Sequence, residues 1–413
     1  MDENLKKVLV IGYVWPEPNS SAAGTHIMSI MRLFLSQGYQ VEFSTPCALS
    51  DHMIDLESEG ISSKSIELNS DTFDEYIKDY NPDIVMFDRF MMEEQFAWRV
   101  EKNCPNALKI LDTEDLQCLR NARHQALKAN KEMSKADLFS DLAKREISAI
   151  LRCDISLIIS SYEMNLLIDT FNIDKSLLHH LPFMVNLKKC PSETKTFEQR
   201  EHFMTIGNFR HAPNWDVVLY LQKIWPYIRK ELPKAELHIY GSYPPPKATV
   251  LNNPKTGFII KGWAKNAYEV IEESKLCLAP IRFGAGIKGK LLDAMIMQTP
   301  SITTSIGSEG MYSDEEWPGI ISDDMQEFIK NAIALYTNES KWKDKQKNCS
   351  ILLNSKYDSE VLSKNLMSKI LEVNEKLIEH RLNNFMGSML RHHSMTSTKY
   401  MSQWITAKNM NNK

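Results

Sequence analysis

Short apolar, β-branched runs alternate with amphipathic helical stretches along this chain, and the alternation occurs twice. The first series predicts strands at Val8–Tyr13, Val41–Thr45, Ile84–Phe87, Leu108–Leu111 and Ile155–Ser160. Between them lie helical stretches at Ala22–Gln37, which presents Ile27, Ile30, Met31, Phe34 and Leu35 on one face and stops at Gly38, and at Asp74–Asp79. A long charged helical region is expected from about Gln117 to Arg152, and a further helix through Leu167. Lys188–Arg200 is polar, lacks periodicity and contains a proline, so it reads as a linker. The rhythm then restarts, with strands at Phe203–Ile206, Leu237–Tyr240, Phe258–Ile260, Leu276–Ala279, Ser301–Ile306 and Ile320–Ile321. Helices are expected at Asn214–Lys230, Ala267–Glu273 and Met325–Tyr336. Continuous apolar strands separated by helices demand a mostly parallel sheet covered on both faces. The expected fold is therefore α/β, with two Rossmann-like domains facing a central cleft. Its parts are residues 1–187, the linker 188–200, residues 201–375 and a basic helical tail, 376–413, returning to the first domain. Ligands of such sheets bind beyond the carboxyl ends of the strands.

Composition narrows the classes. A chain of 413 residues exceeds what one hydrophobic core organises. Hydrophobic residues at 43% and charged residues at 25% suit a soluble globular protein, and a net charge of −4 argues against a general nucleic-acid binder. Seven cysteines are scattered with no C-x-x-C, which points away from a disulfide framework or zinc knuckle and towards a reducing, cytoplasmic setting. No apolar run approaches the length of a membrane span. The start, MDENLKKVLVIGYVW, carries Asp2 and Glu3 and only eight apolar residues, so it reads as a first strand rather than a signal peptide.

The stretch Ile281–Met311 carries the most chemistry. Gly284, Gly286 and Gly289 bracket Lys288 and Lys290, directly after a buried strand and directly before an amphipathic helix with Leu291, Leu292 and Met295 on one side. Glycines admit an anion close to the backbone, and a helix start offers unpaired N–H groups. The spacing is neither a Walker A loop nor G-x-G-x-x-G, so a tight turn with solvated lysines is the competing reading. Asp-x-Asp, G-x-S-x-G and H-E-x-x-H do not occur, which weakens metal-dependent transfer, serine hydrolase and zinc protease readings.

Five segments then carry a resemblance: FMTIGNFRHAPN (203–214), AELHIYGSY (235–243), GFIIKGW (257–263), LAPIRFGAGIKGKLLDAM (278–295) and PSITTSIGSEGM (300–311). In this order they resemble the second half of the GT-B glycosyltransferases of family 4, the group 1 transferases. VLVIGYVWPEPNSSAAGTH and ILDTEDLQCLRNAR (110–123) resemble its first half more weakly. The resemblance implies a nucleotide diphosphate sugar as donor substrate, with no resident cofactor or metal, and a saccharide or lipid-linked acceptor at the first domain. It also implies retention of configuration. Asp293 stands where the second acid of the family's Glu–seven residues–Glu motif contacts ribose; the first acid is replaced by Ala285. The family's pyrophosphate-binding Arg and Lys are absent after the first strand of this half, where Gly207, Asn208, Arg210 and Asn214 stand instead. Arg210 or Lys288 would then supply the leaving-group charge.

The remaining candidates follow from position. Gly24 and Gly12 flank the first loop, Gly241 ends a strand, and Glu309 follows Thr304 where it would reach sugar or ribose. Asp112, Glu114 and Asp115 cluster after a strand end as candidate catalytic acids, with Lys288; helix capping by Asp112 or Thr113 competes. His26 reads as a capping or surface residue. From His380 to Lys413 there is no acidic residue, while Arg381, Arg391, Lys399, Lys408 and Lys413 are basic and His392 and His393 adjoin Arg391. Phe385, Met389, Leu390, Tyr400, Met401, Trp404 and Ile405 recur at helical spacing. A return to the first domain is expected; a peripheral contact with the inner face of a membrane is the second reading. The expected function is transfer of a hexose-type sugar. A nucleotide-sugar epimerase and an inactive nucleotide-sugar-binding scaffold remain open, the latter because of Ala285.

Overall fold

The computed structural model of the chain describes residues 6–411. Asp2, Glu3, Lys413 and the side chain of His393 lie outside what is described.

The first domain is a seven-stranded sheet: β1 (Lys7–Ile11), β2 (Gln40–Thr45), β3 (Ser62–Ser65), β4 (Ile84–Asp88), β5 (Leu108–Asp112), β6 (Ile155–Ile158) and β7 (Leu178–His180). The second has six: β8 (Glu201–Ile206), β9 (Leu237–Tyr240), β10 (Phe258–Gly262), β11 (Ser274–Ala279), β12 (Ser301–Thr303) and β13 (Gly319–Ile321). Spatial orders are β3-β2-β1-β4-β5-β6-β7 and β10-β9-β8-β11-β12-β13, and neighbouring strands pair parallel. Each order reverses once, between β1 and β4 and between β8 and β11. At such a reversal the two crossovers leave in opposite directions and open a crevice above the carboxyl ends. The two crevices face each other.

The central strands explain the arrangement. Val8, Leu9, Val10 and Ile11 are fully buried, as are Leu276, Cys277, Leu278 and Ala279, because helices cover both faces. One apolar layer of the first domain holds Phe73, Phe96 and Leu119. The other holds Met31, Phe34 and Phe43 together with Leu366, Met367, Ile370 and Val373 from helix Ser359–Glu375. The crossover to the first domain therefore begins at residue 359 and not at 376, since the apolar face of that helix completes the first core. Helix Phe385–Asn411 continues onto helices Phe90–Asn103 and Asp141–Arg152. Arg381 is forked onto Asp154 at 2.8 Å through both Nε and a terminal nitrogen, and Arg391 donates to the Arg152 carbonyl at 3.1 Å. These two arginines hold the tail in place.

Several elements depart from expectation for local reasons. The region 117–152 is three helices, Gln117–Lys128, Lys135–Leu138 and Asp141–Arg152. Ser134 forms a capping box with Asp137, and Ser140 caps Ala143, so two new helix starts interrupt the charged run. Strand β3 reads SSKS with every residue exposed, so it carries no apolar signal. The expected strand Ser301–Ile306 stops at Thr303 because the Thr304 hydroxyl accepts from Gly307 N at 3.0 Å and starts a turn of helix.

Candidate active site

The facing crevices form one cavity of about 1460 Å³. Its walls are the loops that leave the switch-point strands: residues 13–22 after β1, 89–91 after β4, 207–214 after β8 and 281–290 after β11.

On the second domain, Gly207 and Gly241 sit back to back at the ends of β8 and β9; a Cβ on Gly241 would lie 2.1 Å from the Gly207 carbonyl oxygen. The Asn208 side chain accepts from Arg210 N at 2.8 Å, and its carbonyl accepts from Asn214 Nδ2 at 3.0 Å. Lys290 Nζ then donates to Asn214 Oδ1 at 2.8 Å, tying the loop after β8 to the loop after β11. Arg210 is exposed and lies over the Tyr243 ring, 3.6 Å from its centroid. Lys288 is buried and donates to the Gly286 carbonyl at 2.8 Å. Burial pulls the ammonium groups of both lysines down to about 8. Asp293, one turn into helix Gly289–Ile296, lines the cavity, and burial pushes its carboxyl up to about 7. Two cations and a carboxyl thus line one wall of a closed cleft, where charge is worth more than in water.

Gly286 has φ +63°, and a Cβ there would stand 2.9 Å from Asp115 Cβ. The glycine loop therefore reaches the opposite domain, a close approach that only glycine permits without strain. On that side Glu114 and Asp115 line the cavity, with Glu114 at φ +60°. Asp115 is paired with Arg120 Nε at 3.0 Å. Burial, and then the charge of Asp112, hold the Glu114 carboxyl well above the usual range. Arg89, at the end of β4, faces Asp88, Asp112, Glu114 and Asp115 and is the cation among them.

Three expected site residues stand elsewhere. Asp112 is 1% exposed and does not line the cavity: it ends β5, accepts from Glu114 N at 3.2 Å, and has His26 Nε2 at 3.8 Å. Burial, then Asp88, push its carboxyl up to about 7. Gly24 is also off the wall; its N–H serves the Ser21 cap at 3.0 Å, and its missing Cβ makes room for the backbone of Glu17, 2.4 Å away from where a Cβ would stand. Glu309 is engaged by both terminal nitrogens of Arg123 at 2.7 Å, so it meets the first domain instead of the cavity. His26, expected at a surface or cap, is 1% exposed and packs edge-on against Phe183.

The residues that sequence reasoning missed are those that join the domains. Glu163 is fully buried, and its Oε1 accepts from Leu116 N at 3.0 Å in the first domain and from Gly286 N at 2.8 Å in the second. Burial, and then Asp115, push its carboxyl up to about 8. Arg123 also donates to the Gly284 carbonyl at 2.9 Å. At the far lip, Tyr243 donates to Glu17 at 2.7 Å, Ser20 and Ser242 hydroxyls meet at 2.8 Å, and Trp263 donates to the Asn19 carbonyl at 3.0 Å. Only Glu163 left a trace, as an acid in the first turn after a strand, and that pattern reads equally as ordinary helix-start charge.

Two doubly wound parallel domains closing on one another in this way constitute a GT-B fold, the architecture of a class of glycosyltransferases. Residues 200–338, the second domain, match the family described as "Glycosyl transferases group 1". Among curated proteins, the chain is 28% identical over 229 residues to an "Uncharacterized 44.6 kDa protein in cps region" of Klebsiella pneumoniae. That match covers 52% of this chain and 57% of the relative, so it spans little more than half the relative's length. Solved structures share the fold at low identity. TarM covers 89% of this chain and 99% of its own with a TM-score of 0.68 at 11% identity. Anabaena HepE in complex with UDP and glucose covers 89% and 100% with 0.66 at 9%. Sucrose-phosphate synthase of Thermosynechococcus elongatus covers 89% and 99% with 0.64 at 13%.

Proposed function

We propose that this protein transfers a hexose-type sugar from a nucleoside diphosphate sugar to a hydroxyl of a saccharide or lipid-linked acceptor, with retention of configuration and without a catalytic metal. The observation that carries the reading is the wall formed by Lys288, Lys290 and Asp293 around the glycine loop, within the domain that matches the group 1 family. Cleavage of a glycosyl phosphate bond builds charge on the leaving diphosphate. Lys288 and Lys290 are the cations set to neutralise it, and Asp293 is set to accept from ribose hydroxyls. Glu114, whose carboxyl is pushed well above the usual range by burial and then by Asp112, and Asp115 face that wall from the acceptor side. Ala285 leaves the donor sugar without the family's usual first acid, so the backbone of the glycine loop takes that contact.

Uridine diphosphate is the first nucleotide to test, since it occupies the HepE structure named above. A thermal-shift screen of nucleoside diphosphates and their sugars comes first, because a ligand specific for the folded state raises the transition by mass action. Product analysis with added glycan and lipid-linked acceptors follows. Transfer that persists after exhaustive EDTA treatment is the expected result; loss restored by manganese would remove the metal-free mechanism. Conversion of the donor without an acceptor would favour the epimerase, and tight donor binding with no turnover would favour the scaffold.

The tail supports a membrane-proximal acceptor. Ile378, Leu382 and Phe385 are 79%, 75% and 73% exposed, and Tyr400, Met401 and Trp404 are also exposed, with Lys399 and Lys408 beside two of these rings. No helix among the described residues is long and apolar enough to cross a membrane. Apolar side chains flanked by lysines suit the surface of an anionic bilayer. Co-sedimentation with anionic but not zwitterionic vesicles, lost in Phe385→Ser/Trp404→Ser, is expected. Equal recovery with either vesicle would remove the membrane from this account.

A further inference from the structure

A second cluster of chemistry-bearing side chains lies at the other end of the second sheet. Strands β8 and β9 pair parallel with Phe203 beside Leu237 and Met204 beside His238. That register sets His202 next to Glu236. Glu236 and His238, two residues apart, fall on one side of the sheet because side chains alternate. One imidazole nitrogen of each histidine and one Glu236 oxygen all lie within 4.8 Å of one another. Glu236 Oε2 is 2.8 Å from His238 Nε2 and 3.9 Å from His202 Nδ1, and the two rings are 4.2 Å apart between centroids.

The outer contacts have the pattern of a metal-binding histidine pair. An imidazole that ligates a metal through one nitrogen generally offers the other to an oxygen, which sets tautomer and orientation. His202 turns Nδ1 towards Glu236 and Nε2 towards Glu201 Oε2 at 3.6 Å. His238 turns Nε2 towards Glu236 and Nδ1 towards the Tyr240 hydroxyl at 3.5 Å. His202 holds this place with a φ of +63°, a conformation unusual for histidine within a strand. Two imidazoles and one carboxylate are the donor set of borderline divalent ions, above all zinc, and they leave one tetrahedral position to solvent.

We propose that His202, Glu236 and His238 form a zinc-class divalent metal site that clips β8 to β9. The site is separate from the sugar-transfer cleft. His202 precedes Gly207 by the length of β8, about 16 Å at ~3.3 Å per residue, and so sits at the amino end of a sheet whose carboxyl end carries the cleft. Its contribution is to the stability of the second domain.

The test uses the full chain, stripped with EDTA and titrated with zinc by calorimetry. One equivalent binding with micromolar or tighter affinity and a raised melting temperature is expected. His202→Ala, at a partly exposed position, should weaken binding at least tenfold, and His202→Ala/His238→Gln should abolish it. Circular dichroism and affinity for UDP should remain unchanged in both. Because the chain carries seven cysteines, cobalt(II) serves as a second probe: visible bands of a nitrogen–oxygen site without a thiolate charge-transfer band are expected. No saturable binding would overturn the site. So would zinc affinity unchanged in His202→Ala, or a thiolate band with cobalt. Transfer activity unaffected by metal removal is compatible with this clip, so the two metal experiments fail independently.

Discussion

Lys288 and Asp293 are each held against their ordinary ionisation by the cleft, and this gives them separable signatures. If Lys288 neutralises a diphosphate, Lys288→Ala should weaken binding of the free nucleoside diphosphate by about 1.5–3 kcal/mol, the range for a charge-assisted contact. Calorimetry decides this; unchanged affinity in a folded variant would exclude Lys288. With both lysines pulled down to about 8, the cleft loses positive charge as pH rises through 8. Diphosphate affinity should therefore fall between pH 7 and 9, a window in which ordinary lysines would leave it level. Asp293 works in the opposite sense for stability. Its folded value, about 7, lies above the unfolded 3.8, so the folded state holds the extra proton between these values and loses stability as pH rises through 7. Asp293→Asn cannot ionise. Relative to the wild type it should gain on the order of 2–3 kcal/mol between pH 5 and pH 8, while binding the donor more weakly. Paired thermal melts at the two pH values test this, and an equal difference at both would mean the carboxyl is not held protonated.

At the scale of elements, the glycine loop is a strand-to-helix turn whose shape is set by a residue across the cleft. A methyl group on Gly286 meets both a left-handed backbone and Asp115, so Gly286→Ala must displace the loop or part the domains. The expected outcome is a fall in kcat of at least about tenfold, because small misplacements at a reacting centre are costly. Circular dichroism and the melting temperature should change little. A large loss of both would instead indicate a misfolded second domain. The loop itself was legible, since three glycines and two lysines between a strand and a helix permit few readings. The broken region 117–152 was less so: the serine caps are visible, but a charged helix tolerates serine, and the break is decided by whether the following turn packs.

For the whole molecule, polar contacts fasten the domains in the closed arrangement, and the two-pronged Arg123–Glu309 pair joins residues 186 apart in sequence. Arg123→Ala should favour an open form, seen as a larger radius of gyration in X-ray scattering and a raised KM for the donor. A double-mutant cycle of Arg123→Ala with Glu309→Ala should show coupling of about 1–3 kcal/mol in transition-state free energy. Additive losses would mean that the pair does not govern closure. The return helix sets another expectation. Ending the chain at residue 356 removes Leu366, Met367, Ile370 and Val373 from the first core and should leave that domain insoluble, whereas ending it after residue 384 spares them.

The sequence alone determined the architecture and one wall of the cleft. Strand and helix periods are local properties of neighbouring residues, so the two α/β halves and the lysine-bearing glycine loop were readable from Val8 to Tyr336. Only the tertiary structure decided which carboxylates face that wall. Asp112, Glu114 and Asp115 are adjacent in sequence, but the end of β5 turns Asp112 into the core and leaves the other two in the cavity. Glu309, expected in the cleft, meets Arg123 instead, and Glu163, which no motif marks, takes one N–H from each domain. The last two outcomes are hydrogen bonds or ion pairs between distant segments. No local pattern encodes such pairs, because they form only once two separately folded sheets bring their switch points together.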